Sequence, residues 1–200
     1  MSSKFGDKGR VALPVAVLLL ALGTCAALAG DKQPQEYLDE ETAATITVVG
    51  EPLVFACPRP ELAANVRDYV TLAAAAVNRN GKVSYVLIAY FWSTVDPRLR
   101  RDAMPSPEPL VLQADDRRIE LKLRGHSAHE AGIGAPVHAP PGAAVTPNVY
   151  GTDLATLRFV AEARRLTIVA DSDGVPLGYE LWEDRRTALR NFVHHMSGDE

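Results

Sequence analysis

Three histidines in the middle of the chain have the chemistry to hold a metal ion. His126, His129 and His138, with Glu130 beside the second, fall in the stretch "GHSAHEAGIGAPVHAPPG". His-x-x-His followed by a third imidazole can supply three zinc ligands. The spacing lies among Gly and Pro, not on a helix. It is therefore not the His-Glu-x-x-His of a zinc protease, whose two rings share one helix face. Two readings stand side by side: a loose metal site, with metal-dependent hydrolysis as its chemistry, or solvated loop histidines. His194 and His195 are adjacent, about 100° apart on a helix, which suits a helix terminus better than a chelate.

Other stretches approach known chemistry and stop short. In "DSDGVPLGYE", Asp171, Asp173, Gly174 and Glu180 fit the third, fifth, sixth and twelfth positions of a calcium loop. Val169 then falls where the first oxygen ligand belongs, so a plain hairpin turn is expected. "GHSAH" begins like a Gly-x-Ser-x-Gly nucleophile elbow and lacks its last Gly. "GIGAPVHAPPG" has no Lys-Ser/Thr to hold a phosphate. No catalytic residue and no cofactor is assigned. Tyr85, Tyr90, Phe91 and Trp92 either line a groove for a small apolar ligand or fill a core. Cys57, in "VFACPRP", reads as a free thiol, buried or half-buried.

The elements that must position these residues read mostly as strands. "TITVVGEPLVFA" alternates β-branched residues and breaks at Gly50-Glu51-Pro52. "RDYVTLAAAAVNRNGKVSYVLIAYFWSTVD" sets two apolar arms about Asn80-Gly81, which supply the positive φ angles of a tight reversal. Ala73–Ala76 favour helix by propensity; the matched partner arm favours strand, and strand is expected. That partner, Val83–Trp92, is apolar on both faces and belongs mid-sheet. "PLVLQADDRRIELKLR" reads as a second hairpin turning at Asp115-Asp116, and "LTIVADSDGVPLGYELW" as a third turning at Asp173-Gly174. "TDLATLRFVAEARR", capped by Asp153, and "EDRRTALRNFVHHM" read as helices. The fold class expected is mostly β (α+β): an antiparallel β-sandwich or curled sheet of about eight strands with two C-terminal helices. Residues 43–200 form one domain, with a long loop at 125–149 that could serve as a contact surface.

The first 29 residues stand apart. Lys4, Lys8 and Arg10 precede an uncharged apolar run, Val11 to Ala29, which has the form of an export signal. Two cuts compete. Ala27-Leu28-Ala29 fits an ordinary peptidase and would leave Gly30 first. "LGTC" would instead make Cys25 a lipidated N-terminus, with residues 1–24 removed, and Ala26 after it would direct the protein to the outer membrane. Residues 30–42 then read as a flexible polar tether. The chain carries 21 basic and 25 acidic residues. Loss of the signal leaves 18 against 24, a net charge of −6, which disfavours a nucleic-acid partner.

"TAATITVVGEPLVFA", "RDYVTLAAAAVNRNGK" and "YVLIAYFWSTVD" resemble segments of small exported proteobacterial proteins and lipoproteins of unknown function, over roughly residues 37–97. The resemblance implies an envelope address and carries over no catalytic residue. The expected role is an exported, non-enzymatic structural or interaction module. It would be periplasmic, or anchored in the outer membrane through Cys25, and its partner would be another envelope protein. Intact mass of the mature protein tests the address: an unmodified chain starting at Gly30 is expected, and a diacylglycerol-bearing Cys25 would establish the anchor instead.

Overall fold

The two apolar arms about Asn80-Gly81 form the longest hairpin of the fold. The computed structural model describes residues 33–95, 104–140, 145–172 and 175–198. The stretch expected to be an export signal, Cys25 and the first residues of the expected tether lie outside them. In chain order the elements are β1 (Gln35–Asp39), β2 (Ala44–Val48), β3 (Leu53–Pro58), β4 (Arg67–Arg79), β5 (Lys82–Ser93), β6 (Leu110–Ala114), β7 (Arg117–Leu121), β8 (Leu123–Gly125), β9 (Pro147–Thr152), α1 (Leu154–Glu162), β10 (Leu166–Ser172), β11 (Val175–Glu183) and α2 (Arg186–Ser197). Among the described residues there are thus eleven strands, more than the eight expected, in one antiparallel sheet. Of the two architectures expected, the curled sheet is the one observed.

The sheet runs β7-β6-β10-β11-β3-β4-β5-β9-β8. Only Lys122 separates β7 from β8, and its carbonyl accepts from the Gly151 amide of β9 at 3.0 Å. The path therefore returns to its start, and the sheet is a nearly closed ring. β4 is too long for a single neighbour. Its first half pairs β3, from Pro58↔Arg67 to Leu53↔Leu72. Its second half pairs β2, from Val48↔Ala75 to Thr45↔Asn78. The Gly50-Glu51-Pro52 break separates the two partners.

The β4–β5 reversal has positive φ at Asn80 (54°) and Gly81 (80°). Both angles suit Asn and Gly, and they match the twist of the arms. The Asn78 side chain caps the turn by accepting from the Gly81 amide at 3.0 Å. Register puts Val70, Leu72, Ala74 and Ala76 on one face with Phe91, Ala89, Leu87 and Tyr85. The opposite face carries Tyr69, Thr71, Ala73, Ala75 and Val77 with Trp92, Tyr90, Ile88, Val86 and Ser84. All four alanines are buried. Burial on both faces overrides their helix propensity, because a helix could not present both sides of this run to a core.

The helices cover the first face. Asp153 caps α1 by accepting from the Thr156 amide at 2.7 Å. Leu157, Val160 and Ala161 of α1 and Ala188, Leu189, Phe192 and Val193 of α2 are buried. The space between Leu72, Ala74 and Leu87 of the sheet and Val160 and Leu189 of the helices is about 10 Å³. That is room for one water, so no apolar ligand fits there.

Two expectations need correction. Residues 35–39, read as tether, form β1, which pairs β2 from Gln35↔Val48 to Asp39↔Ala44. Four of the five face solvent, so the strand looks like linker in sequence. The loop at 125–149 is shorter than expected, because β8 ends at Gly125 and β9 starts at Pro147, and a 3₁₀ turn occupies His129–Ala131. It also covers the second face of the hairpin. Ile133 and Val137 are buried, and the Val137 backbone faces the Tyr90 hydroxyl.

Ile88 is fully buried between these layers, whereas Val83 on the same strand is 38% exposed. Ile88→Ala is expected to cost about 2–5 kcal/mol by urea unfolding, and Val83→Ala no more than about 0.5 kcal/mol.

Candidate functional site

The three loop histidines do not converge. His126 Nδ1 lies 2.9 Å from the Asn148 Oδ1 of β9. His129 Nε2 faces the Glu41 carboxylate at 3.5 Å. His138 Nε2 bonds the Val49 carbonyl, between the end of β2 and the Gly50-Glu51-Pro52 break. Among the described residues no group of three His, Cys, Asp or Glu side chains is placed to share a metal ion. The expected metal site is therefore set aside. Each imidazole ties the loop to a different strand or turn, as a covering segment requires. The flanks of the calcium-like stretch pair as strands, with Thr167↔Glu180 and Asp171↔Pro176 in register.

Cys57 is free and buried. Burial pushes its thiol up, outweighing the pull of the nearby Arg59 cation. It is a protonated core side chain, and its Sγ lies 3.7 Å from the Pro58 carbonyl. Asp68, fully buried beyond it, pairs with Arg59. That pair fastens the turn from β3 into β4.

The sheet gathers aromatic side chains at the open end of the β4–β5 hairpin. Tyr69 stands opposite Trp92 in the β4–β5 ladder, opposite Ala56 of β3, and Ala56 stands opposite Glu180 of β11. These residues share the outer face. Trp182, two positions after Glu180, joins them next to a bulge between Leu181 and Glu183. The small Ala56 leaves space for the larger rings on either side to meet.

Tyr69 and Trp92 stack at 4.5 Å with planes 16° apart. Trp182 meets Tyr69 edge-on at 6.5 Å. The Arg67 guanidinium sits 4.8 Å from the Trp182 ring centre, a cation–π contact. Trp92 Nε1 donates to Thr71 Oγ1 at 3.0 Å, fixing its ring. Trp182 remains 54% exposed. Of the four aromatic residues read from the sequence as groove-lining or core, only Trp92 belongs to this strip; Tyr90 is core, Tyr85 packs half-buried against the core, and Phe91, also buried, faces the interior of the ring. Arg67 and Trp182 were not singled out. The alternation of "GYELWE" held the signal, since Tyr179 and Leu181 point inward and place Trp182 on the wet face.

No protein-family model matches the chain, and no curated protein or solved structure matches it.

One contact holds both the β1 flange and the covering loop. Asp39 accepts from the Gly134 backbone and from the Glu41 amide at 3.1 Å. Above all the Gly134 N–H holds the Asp39 carboxyl below the usual carboxylate range, helped by Thr42 and Glu41. A carboxyl lowered in the folded state stabilises it above the unfolded-state value and loses that contribution as pH falls through the folded one. Asp39→Asn is therefore expected to lower the melting temperature at neutral pH. It should also flatten the loss of stability below about pH 4, read as melting temperature against pH for both proteins.

Proposed function

We propose that this protein is an exported, non-enzymatic interaction module of the cell envelope, and that its partner is a protein that docks on the strip around Trp182. The export part rests on the basic and apolar signal in residues 1–29 and on the resemblance to envelope proteins. The docking part rests on one observation: an indole more than half exposed, backed by Arg67, Tyr69 and Trp92 on a rigid sheet. Trp, Tyr and Arg are the residues that most often dominate protein interfaces. Here they are ordered before any partner arrives, which lowers the entropy cost of association.

The strip also indicates the partner's chemistry. Among the described residues the Arg67 guanidinium meets the Trp182 ring and no carboxylate. A partner that presents an apolar pocket for the indole and an acidic side chain beside it would satisfy both. The loop expected to carry this role is spent on covering the hairpin, so the contact surface moves to the sheet.

A photo-crosslinking amino acid placed at position 182 of the full chain tests this in the intact envelope. The expected result is one discrete protein adduct that disappears when Arg67→Glu is added. It should be absent when the crosslinker sits at Arg118, an exposed position on β7. No adduct at 182, or the same adducts from both positions, would overturn the proposal. Trp182→Ala should leave unfolding within about 0.5 kcal/mol of the parent, separating lost docking from lost folding.

A further inference from the structure

A second surface, independent of the Trp182 strip, lies at the mouth of the curled sheet. Residues 104–107 cross this mouth as a strap, and the buried Tyr150 hydroxyl holds it by donating to the Pro107 carbonyl at 2.8 Å. Beneath the strap is a cleft of about 280 Å³, near the small end of ligand pockets. Its polar groups come from three separate segments: Ser106 from the strap, His126 from the end of β8, Thr146 and Asn148 from β9 and its approach. Phe91 and Met104 supply apolar wall.

Asn148 is the centre of the cleft. It is 4% exposed. Its Oδ1 accepts from Ser106 Oγ at 3.0 Å and from His126 Nδ1 at 2.9 Å. Both lone pairs of that oxygen are then used. The Asn148 Nδ2 group donates to nothing among the described residues. That amide is not among the polar atoms sealed from solvent without a partner, so its N–H groups remain available to a ligand. A proton on His126 Nδ1 leaves Nε2 of the neutral ring as an acceptor. The cleft thus offers a donor, an acceptor and two hydroxyls against apolar wall, and among the described residues no Asp, Glu, Lys or Arg lines it.

We propose that this cleft binds one neutral sugar unit. Sugar hydroxyls each donate and accept, which matches an amide N–H beside an imidazole lone pair. The C–H face of the ring matches Phe91 and Met104. The volume suits a single ring. Among the described residues the lining offers a phosphate or carboxylate no cation to pair with. The unit could be a free monosaccharide or the end of a glycan; the recognition chemistry is the same.

Amide NMR titration of the mature chain with N-acetylglucosamine, its β-linked dimer and acetate tests the proposal. Expected are saturable shifts at Met104, Ser106, His126, Val145, Thr146 and Asn148 with the monosaccharide, and none with acetate. The dimer should reproduce them if the site takes a chain end, and not if it takes only the free sugar. Asn148→Asp keeps an oxygen for Ser106 and His126 and removes the N–H donors, so it should weaken binding about tenfold or more. His126→Phe keeps a ring and removes the acceptor; it should do the same, and it serves if the first variant does not fold. Absence of saturable shifts at these residues would overturn the proposal. So would binding that survives in both folded variants, or acetate binding as well as sugar.

Discussion

The structure depends on a hairpin that must be covered on both sides. β4 and β5 pair without interruption from Asp68↔Ser93 to Arg79↔Lys82, and their apolar residues point to both faces. Burying one such side chain contributes roughly 1.5–3 kcal/mol, so neither face can be left to water. The rest of the fold follows from meeting that demand twice. One face receives α1, α2 and the returning wall of the ring, where Tyr179 meets Phe91 edge-on at 5.8 Å. The other receives the loop that carries Ile133 and Val137, which the β1 end anchors through Asp39 and Gly134. The alanines at 73–76 let both layers approach closely, which larger side chains would prevent.

The two covering layers are held differently. The helices are held mainly by side-chain packing, with arginines closing their ends: Arg190 donates to the Ala161 carbonyl at 3.3 Å and Arg186 to that of Arg164 at 3.2 Å. The first of these satisfies a carbonyl that the end of α1 leaves without a partner; the second fastens the turn that follows α1. The loop lacks a ladder of its own, so it is held by single polar contacts. Asp39 reaches Gly134, His138 reaches Val49, and His129 reaches Glu41. Histidines that resemble a ligand set in sequence are in fact fastenings. A loop that covers an apolar face must bury its own backbone polar groups or bond them, and imidazoles and carboxylates are suited to that task.

How much of this could be read from the sequence depended on whether the deciding interaction was local. Asn80-Gly81, Asp115-Asp116 and the Asp153 cap are local, and the hairpins and the start of α1 were legible there. The curled sheet followed from hairpins in series. β1 was not legible, since Gln35–Leu38 face solvent and are a strand only because β2 offers an edge. The histidine contacts were not legible either, because each joins residues far apart in the chain. The strip around Trp182 was half legible: alternation put Trp182 on the wet face, but only the order β11-β3-β4-β5 brings it beside Tyr69. Asn148 could not have been chosen from "TPNVYG", because its role comes from a strap and a loop that arrive from elsewhere.

The two surfaces given functional readings share one support. Phe91 and Trp92 are neighbours on β5, so their side chains leave opposite faces of the sheet. Phe91 lines the cleft under the strap; Trp92 stacks under the strip. Tyr179 and Trp182 divide in the same way on β11, the first against Phe91 and the second against Tyr69. Sites placed on strands are held more rigidly than sites on loops, and here two are held by one ladder. The hairpin's register fixes where both side chains emerge, and a one-residue slip would send each to the wrong face. The double burial that forces the fold therefore also fixes the geometry of the two surfaces proposed as binding sites.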